Sequence, residues 1–263
     1  MLLKGKNAIL YGGGGAIGGA VARAFAREGA RVFLTGRNFA TVEAVAKDII
    51  AAGGTAESAQ VDALDERAVD EHLAAVVKKA GRIDVSFNAI GLVPQQGIQG
   101  IPLTELSVES FALPITTYTR AHFVTAKVAA RRMIEQHSGV ILMHTPEPAR
   151  LGAPLVGGMG PAWAAMEGFC RSLSAECAAH GIRVVCLRST GIPETATIDV
   201  VFGLHAKAHG MTREQFQSLT EGNTHRRRST TLLELANVAA FVASDRAAAM
   251  TGTVVNVTGG IVD

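Results

Sequence analysis

A short stretch near the amino terminus decides the fold of this chain: NAILYGGGGAIGG, residues 7–19. Its apolar residues 7–11 predict a buried strand, its glycines predict a tight turn, and the alanine-rich sequence that follows predicts a helix over 17–28. Glycines lack a Cβ, so backbone N–H groups can approach an anion closely, and a helix amino terminus adds about half a positive charge. This order of elements predicts the phosphate cradle of a nucleotide site, with a flexible turn of the same composition as the alternative.

The next predicted strand completes a strand–helix–strand unit. Residues 31–35 form an apolar run about 20 residues after the turn, which is the usual length of a dinucleotide-binding unit. The strand ends at Gly36 and Arg37, where an acidic residue would bind a ribose 2′-hydroxyl and an arginine accommodates a 2′-phosphate. Arg37 therefore favours NADP(H) over NAD(H), and the alternative is a solvated loop cation.

Composition and charge set limits on the class of protein. The chain has 263 residues, 48% of them hydrophobic, and a formal net charge of +2, which fits a single α/β domain over 1–263. The only dense basic run is 225–228, and its length indicates a solvated loop or a subunit contact rather than a nucleic-acid surface.

The cysteines and the apolar runs of the sequence indicate the compartment in which the protein works. Cys170, Cys177 and Cys186 form no C-x-x-C pair, and neither an apolar leader nor a run of membrane-spanning length is evident. We therefore expect a reducing, cytoplasmic compartment and no membrane partner.

His205 and His209 have the spacing of two metal ligands on a helix, but without an evident third ligand we expect no metal and interpret them as a surface or subunit-contact pair.

Predicted strands and helices alternate along the chain. The strands are expected at 7–11, 31–35, 56–61, 83–87, 139–144, 183–187 and 253–257. The helices are expected at 17–28, 39–52, 65–80, 107–136, 159–180 and 231–243. This alternation predicts an α/β fold, a doubly wound Rossmann domain whose seven-stranded parallel sheet carries helices on both faces. The irregular, glycine-containing stretch at about 188–230 is the expected substrate or lid segment beyond the strand ends.

Several segments carry a resemblance to a known family, in the family's order. Residues 12–18 are similar to a T-G-x-x-x-G-I-G turn, 84–91 to D-x-x-x-N-N-A-G, and 189–195 to P-G-x-x-x-T. Together with 61–65 and 244–260, they make the whole chain resemble the short-chain dehydrogenase/reductase family. The resemblance implies a dinucleotide partner and a set of cofactor-binding residues: Gly12, Gly14, Gly15, Ala16, Ile17, Gly18, Arg37, Asp62, Ala63, Asn88, Ala89, Gly91, Thr190, Gly191, Ile192 and Thr195.

The catalytic tetrad of that family is not matched. The resemblance implies a tyrosine as general acid/base, a lysine four residues later, a serine that orients the substrate oxygen, and an asparagine. In this chain those positions are held by Met159, Trp163, Pro146 and Tyr118 in turn. No other register restores the tyrosine–lysine pair, because the only tyrosines are Tyr11 and Tyr118 and the helix predicted at 159–180 contains no lysine. The sequence therefore predicts a degenerate Asn-Ser-Tyr-Lys tetrad.

Three functions follow from this combination. The first is an NADP(H)-binding protein that has lost the usual carbonyl-reductase and alcohol-dehydrogenase chemistry and acts in binding, sensing or assembly. The second is an active NADPH-dependent oxidoreductase with non-standard proton transfer, for which Tyr118, Thr145 and His144 are the candidate substitutes. The third is a structural partner subunit of an active relative.

Two further expectations concern partners. The helices at 107–136 and 159–180 resemble the pair that forms dimer interfaces in this family, which implies a homodimer or homotetramer. Leu155, Met159 and Trp163 predict an apolar pocket, so a small ligand of this site is expected to be largely apolar.

Overall fold

The computed structural model describes residues 1–92 and 97–261, and within them one parallel sheet organises the chain. Its strands are β1 (Asn7–Tyr11), β2 (Arg31–Gly36), β3 (Thr55–Gln60), β4 (Val85–Asn88), β5 (Gly139–Pro146), β6 (Ile182–Ser189) and β7 (Thr253–Val257). The seven strands lie in the order β3-β2-β1-β4-β5-β6-β7, and every neighbouring pair is parallel. The predicted doubly wound sheet is confirmed, and its strand order reverses direction between β1 and β4.

Helices connect the strands and cover both faces of the sheet. They are α1 (Ala16–Arg27), α2 (Phe39–Ala51), α3 (Glu66–Ala80), α4 (Val108–Gln136), α5 (Met159–Cys177), α6 (Ala196–Ala208), α7 (Arg213–Gly222) and α8 (Leu232–Ala243). Asp65 caps α3, since its carboxylate accepts the N–H groups of Arg67 (2.9 Å) and Ala68 (3.2 Å). No helix of the described residues has both the length and the hydropathy to cross a membrane.

The alternation of side chains along each strand divides the core into two layers. Ala8 and Leu10 of β1 pack with α1, α2 and α8, whereas Ile9 and Tyr11 pack with α3, α4 and α5. Because all of these side chains are buried, both faces of the sheet are covered. The carboxyl ends of the strands are therefore left as the edge at which a ligand can be held.

The stretch at 188–230 is more regular than its glycines and its single proline, Pro193, indicated. It contains α6 and α7, which start at the N-caps Thr195 and Thr212. Gly203 lies inside α6, where an added Cβ would meet no atom within 4 Å, so this glycine does not end the helix. The expected lid is thus a helical segment, and its role as a lid stays a prediction.

Candidate functional site

The glycine turn between β1 and α1 is built by close backbone contact. Gly12 has a φ of +73°, in the left-handed region, and a Cβ on Gly18 would overlap the carbonyl oxygen of Gly12. The N–H of Gly13 donates to the carbonyl of Thr35 (2.9 Å), which fixes the turn against β2. Gly15 is the N-cap of α1 and supplies no side chain, so the first-turn N–H groups remain free to bind an anion. These residues fit a dinucleotide pyrophosphate.

The residues expected around the adenosine lie at the carboxyl ends of β2 and β3. Arg37 follows β2 and is exposed, and its carbonyl accepts a hydrogen bond from the Gln60 side chain (2.9 Å). Asp62 is exposed after β3, where its carboxylate accepts the N–H of Leu64 (3.0 Å), and the neighbouring Ala63 is buried. A guanidinium and a turn carboxylate are therefore available at the same edge as the cradle.

Asn88 holds the loop after β4 rather than pointing into open space. Its amide group donates to the hydroxyl of Thr125 (2.8 Å) and its oxygen accepts the N–H of Ile90 (2.9 Å). The next residue, Ala89, brings its carbonyl against Gly12, where an added Cβ would come within 2.9 Å of that oxygen. Gly91 follows on the exposed side of the loop. A cofactor contact at 88–89 would therefore come from the backbone.

In the segment after β6, two threonine side chains form hydrogen bonds within the protein. The hydroxyl of Thr190 accepts the N–H of Thr230 (3.0 Å), and Thr195 caps α6 by accepting the N–H of Ile198 (3.2 Å). Gly191 and the buried Ile192 lie between the two threonines, at the edge where the cradle opens.

The positions expected to hold the catalytic tyrosine, lysine and asparagine come together in one apolar cluster. Met159 and Trp163 lie on the first turns of α5 and are 5% and 7% exposed. The rings of Trp163 and Tyr118 meet edge to face, with centroids 6.1 Å apart. The cluster comprises the buried residues Ile98, Tyr118, Val156, Met159, Ala162, Trp163 and Met166. A thioether and an indole neither donate nor accept a proton in the way that a phenol–ammonium pair does.

Two further residues were expected at this site, Pro146 at the position of the family's serine and Leu155 in the apolar pocket. Pro146 is the last residue of β5 and has no hydroxyl to offer a substrate oxygen. Leu155 directly precedes Val156 of the apolar cluster, and its carbonyl accepts the N–H of Gly100 (2.8 Å).

The three candidate substitutes for proton transfer are all hydrogen bonded within the protein. The Tyr118 hydroxyl accepts the N–H of Leu92 (3.2 Å), and burial raises its pKa. Thr145 donates to the carboxylate of Glu167 (3.0 Å). His144 lies 2.9 Å from the Ser189 hydroxyl through its Nε2, and burial lowers its pKa to about 4, so its ring is neutral near pH 7.

The sequence and structure resemble known proteins over nearly the whole chain. The family model described as enoyl-(acyl carrier protein) reductase matches residues 14–262. An uncharacterised oxidoreductase of Bacillus subtilis is 32% identical over 260 residues, covering 98% of this chain and 92% of that protein. The chain belongs to the short-chain dehydrogenase/reductase family.

Other members of the family agree in length and fold. A 3-oxoacyl-[acyl-carrier-protein] reductase of Chlamydia pneumoniae is 28% identical, with 98% of each chain covered. The solved structure of an NAD+-bound xylitol dehydrogenase superposes with a TM-score of 0.92 at 26% identity and covers 99% of this chain and 100% of its own. Short-chain dehydrogenases/reductases are oxidoreductases that typically use an NAD(P) dinucleotide, which agrees with the geometry of the glycine turn.

Sequence reasoning missed one carboxyl group at this site of the family fold. Glu147 begins a short 3₁₀ helix (Glu147–Ala149) directly after Pro146, and its Oε2 is buried with no hydrogen-bond partner among the described residues. Burial raises its pKa to about 7, while the backbone N–H groups of Glu147 and Gly191 act in the opposite direction. The sequence does show an acidic residue next to the expected serine position. It does not show the contact with Gly191, because that contact forms only when β5 and β6 lie side by side in the fold.

A second missed group is His122 on α4. It is 1% exposed, its Nδ1 lies 3.1 Å from the Tyr118 carbonyl, and its Nε2 has no partner in the part of the chain described. Burial, with a smaller contribution from His144, lowers its pKa to about 4. His122 is therefore a neutral ring beneath the apolar cluster.

The histidines at 205 and 209 both contact other side chains of the protein. His205 is buried and not on the surface as expected: its Nε2 lies 3.2 Å from the Gln99 side-chain oxygen, and its ring is tilted beside Phe216. The ring of His209 is stacked on Phe216. Within residues 1–92 and 97–261, no group of three or more His, Cys, Asp or Glu side chains is arranged to hold a metal.

Proposed function

We propose that this protein binds NADP(H) in the glycine cradle and has lost the carbonyl–alcohol chemistry of its family, acting as a binding or sensing subunit. The observation that carries this proposal is the burial of Met159 and Trp163 against Tyr118. Hydride transfer to a carbonyl needs a proton donor for the oxygen, and the usual donor and its lysine are replaced by groups that do not titrate.

The preference for NADP(H) is supported by Arg37. Gly36 ends β2 and is followed by Arg37 and Asn38, so the position of an acidic ribose ligand holds no carboxylate. A guanidinium forms charge-assisted hydrogen bonds with a 2′-phosphate, and these are stronger than bonds to a neutral hydroxyl.

A second candidate is an NADPH-dependent oxidoreductase with a relocated proton donor. Its support is the phenol of Tyr118, which lies in the same cluster as Met159 and Trp163. This candidate differs from the first in one measurable respect, since it predicts steady turnover that depends on the Tyr118 hydroxyl.

The assembly proposed is a homodimer or homotetramer formed through α4 and α5. Phe123 of α4 is 51% exposed and packs beside Phe169 of α5, with ring centroids 5.9 Å apart. A partly exposed aromatic pair across two adjacent helices is a favourable surface for a second copy. A cytoplasmic location is supported by the three cysteines, which are free and buried.

The test is a calorimetric titration of the purified protein with NADPH and with NADH. We expect NADPH to bind about tenfold more tightly, and Arg37→Ala to weaken NADPH while leaving NADH unchanged. Arg67→Ala is the matched control, because Arg67 is an exposed arginine of α3 that pairs with Glu71. Binding of neither dinucleotide would overturn the proposal and favour a structural partner subunit.

A further inference from the structure

Glu147 lies in one half of the dinucleotide site. A dinucleotide lies across the point at which the strand order reverses, which here falls between β1 and β4. With Arg37 after β2 marking the adenosine half, the nicotinamide half covers the carboxyl ends of β4, β5 and β6. Glu147 follows β5 directly, and its carboxyl group faces the backbone N–H of Gly191 after β6. The nicotinamide half thus contains a carboxyl group of its own.

The charged and titratable groups on the adjoining strand ends bond to other residues. Arg188 of β6 pairs with Glu167 of α5 (2.6 Å between Nη2 and Oε2), and both side chains are 6% exposed. His144 of β5 is hydrogen bonded to the hydroxyl of Ser189, the last residue of β6. The carboxylate of Glu194 accepts the N–H of Leu232, the first residue of α8 (2.6 Å). None of these groups contributes to the pKa of Glu147, which is shifted by burial and by backbone N–H groups alone. Its Oε2 has no partner among the described residues.

We propose that Glu147 is the counter-ion of an oxidised, cationic nicotinamide ring, so that the site selects NADP+ over NADPH. This inference rests on the proposed function, because it requires the dinucleotide to occupy the cradle. A buried carboxylate that lacks a cation is costly, and a positively charged ring at the same edge offsets that cost. The reduced ring is neutral and gives no such pairing.

This selection depends on pH in a defined direction. Because burial raises the pKa of Glu147 to about 7, the carboxyl group is mostly neutral at pH 5.5 and mostly ionised at pH 8. His122 and His144 stay neutral over this range, since burial lowers both pKa values to about 4. A cationic ring favours the ionised carboxylate, so NADP+ binding near pH 7 releases a proton from Glu147 to the buffer. NADPH binding releases none from this group.

The experiment is a pair of calorimetric titrations, with NADP+ and with NADPH, at pH 5.5 and pH 8. The readout is the ratio of the two dissociation constants, in which the titration of the shared 2′-phosphate cancels. We expect wild type to favour NADP+ by about tenfold at pH 8 and by less than about twofold at pH 5.5. Titrations near pH 7 in buffers of different ionisation enthalpy measure the proton release without any substitution.

Two variants separate the possible outcomes. Glu147→Gln keeps the side-chain shape and should give a ratio near one at both pH values, whereas Glu105→Gln removes an exposed carboxylate and should behave as wild type. If wild type binds both cofactors with the same ratio at both pH values, or Glu147→Gln keeps the wild-type ratio, the inference is overturned while the proposed function stands. If neither cofactor binds wild type, the proposed function is overturned and this inference with it.

Discussion

Tyr11 and Tyr118 are both buried, yet their hydroxyl groups have different surroundings. The hydroxyl of Tyr11 has no hydrogen-bond partner among the described residues, and burial raises its pKa. The hydroxyl of Tyr118 accepts the N–H of Leu92. A buried hydroxyl without a partner keeps its desolvation cost, whereas a bonded one recovers part of it.

Removing these two hydroxyl groups should therefore have opposite consequences. We expect Tyr11→Phe to leave the free energy of unfolding unchanged or to raise it by about 1 kcal/mol. Tyr118→Phe should lower it by about 1 kcal/mol, because the Leu92 N–H loses its acceptor. Urea unfolding of both variants measures the difference, and a larger loss for Tyr11→Phe would contradict the assignment.

The buried pair of Glu167 and Arg188 permits a second prediction at this scale. Removing one partner leaves a buried charge, so Glu167→Leu or Arg188→Met alone should cost about 3–5 kcal/mol of unfolding free energy. The double variant should be much less destabilised than the sum of the two, since it leaves no unpaired charge. Additive losses in a double-mutant cycle would show that the pair is not coupled.

The sequence predicted the roles of some residues of the site but not of others. The glycines of the turn were identifiable because their function depends on local backbone geometry. Glu147 and His122 were not, because their unpartnered atoms result from contacts between distant segments. Burial of a polar atom is a property of the fold and leaves no spacing pattern in the chain.

The start of α5 depends on one close helix contact. Gly158, its N-cap, lies so near α4 that an added Cβ would overlap the carbonyl oxygen of Phe111 and come within 3.0 Å of Pro114. Its φ of −74° is ordinary, so the constraint is space and not backbone strain. This contact sets the separation of the two helices that carry the apolar cluster.

Gly158→Ala should therefore be destabilising by more than about 2 kcal/mol, because the helices must move apart. The matched control is Gly203→Ala in α6, where the added methyl group meets nothing within 4 Å. That variant should be neutral or stabilising by up to about 1 kcal/mol, since alanine loses less backbone entropy in a helix. Thermal unfolding compares them, and equal effects would contradict the packing argument.

At the scale of elements, hydrophobic periodicity located the strands and the long helices to within a few residues. It missed α6 and α7, because the glycines and the single proline of 188–230 led us to expect an irregular segment. The threonines that cap these helices were present in the sequence, but an N-cap is informative only beside a recognisable apolar face. The end of α5 also tightens to a 3₁₀ turn over Ala178–His180, a local change that periodicity does not resolve.

For the whole molecule, buried titratable groups make stability depend on pH in two opposing ways. The folded-state pKa of His122 is about 4, below its unfolded value of 6.5, so the unfolded chain binds more protons between these values and stability falls as pH falls. The folded-state pKa of Glu147 is about 7, above its ordinary 4.5, so its contribution is lost as pH rises through this window.

These opposing signs predict different slopes for two variants. Between about pH 5 and pH 6.5, Glu147→Gln should increase the slope of unfolding free energy against pH by about 1 kcal/mol per pH unit, and His122→Asn should decrease it by a similar amount. Urea unfolding at several pH values gives the slopes, which are independent of any constant loss of stability. Unchanged slopes would show that these groups titrate alike in both states.

The arrangement of the whole sheet was predictable because a parallel α/β topology follows from the alternation of elements, and the family resemblance extended over the full chain. The chemistry of the site follows from single side chains at the ends of β5 and at the start of α5. There Met159 and Trp163 pack into the buried apolar cluster with Tyr118, and neither side chain offers the phenol or ammonium group that the family resemblance led us to expect.

The most direct test of the lost carbonyl chemistry follows NADPH oxidation with a broad panel of ketones at a cofactor concentration that calorimetry shows to be saturating. We predict no NADPH consumption above the uncatalysed rate, together with saturable binding. Steady turnover by wild type that is abolished in Tyr118→Phe would contradict the proposed loss of activity and assign the proton transfer to Tyr118.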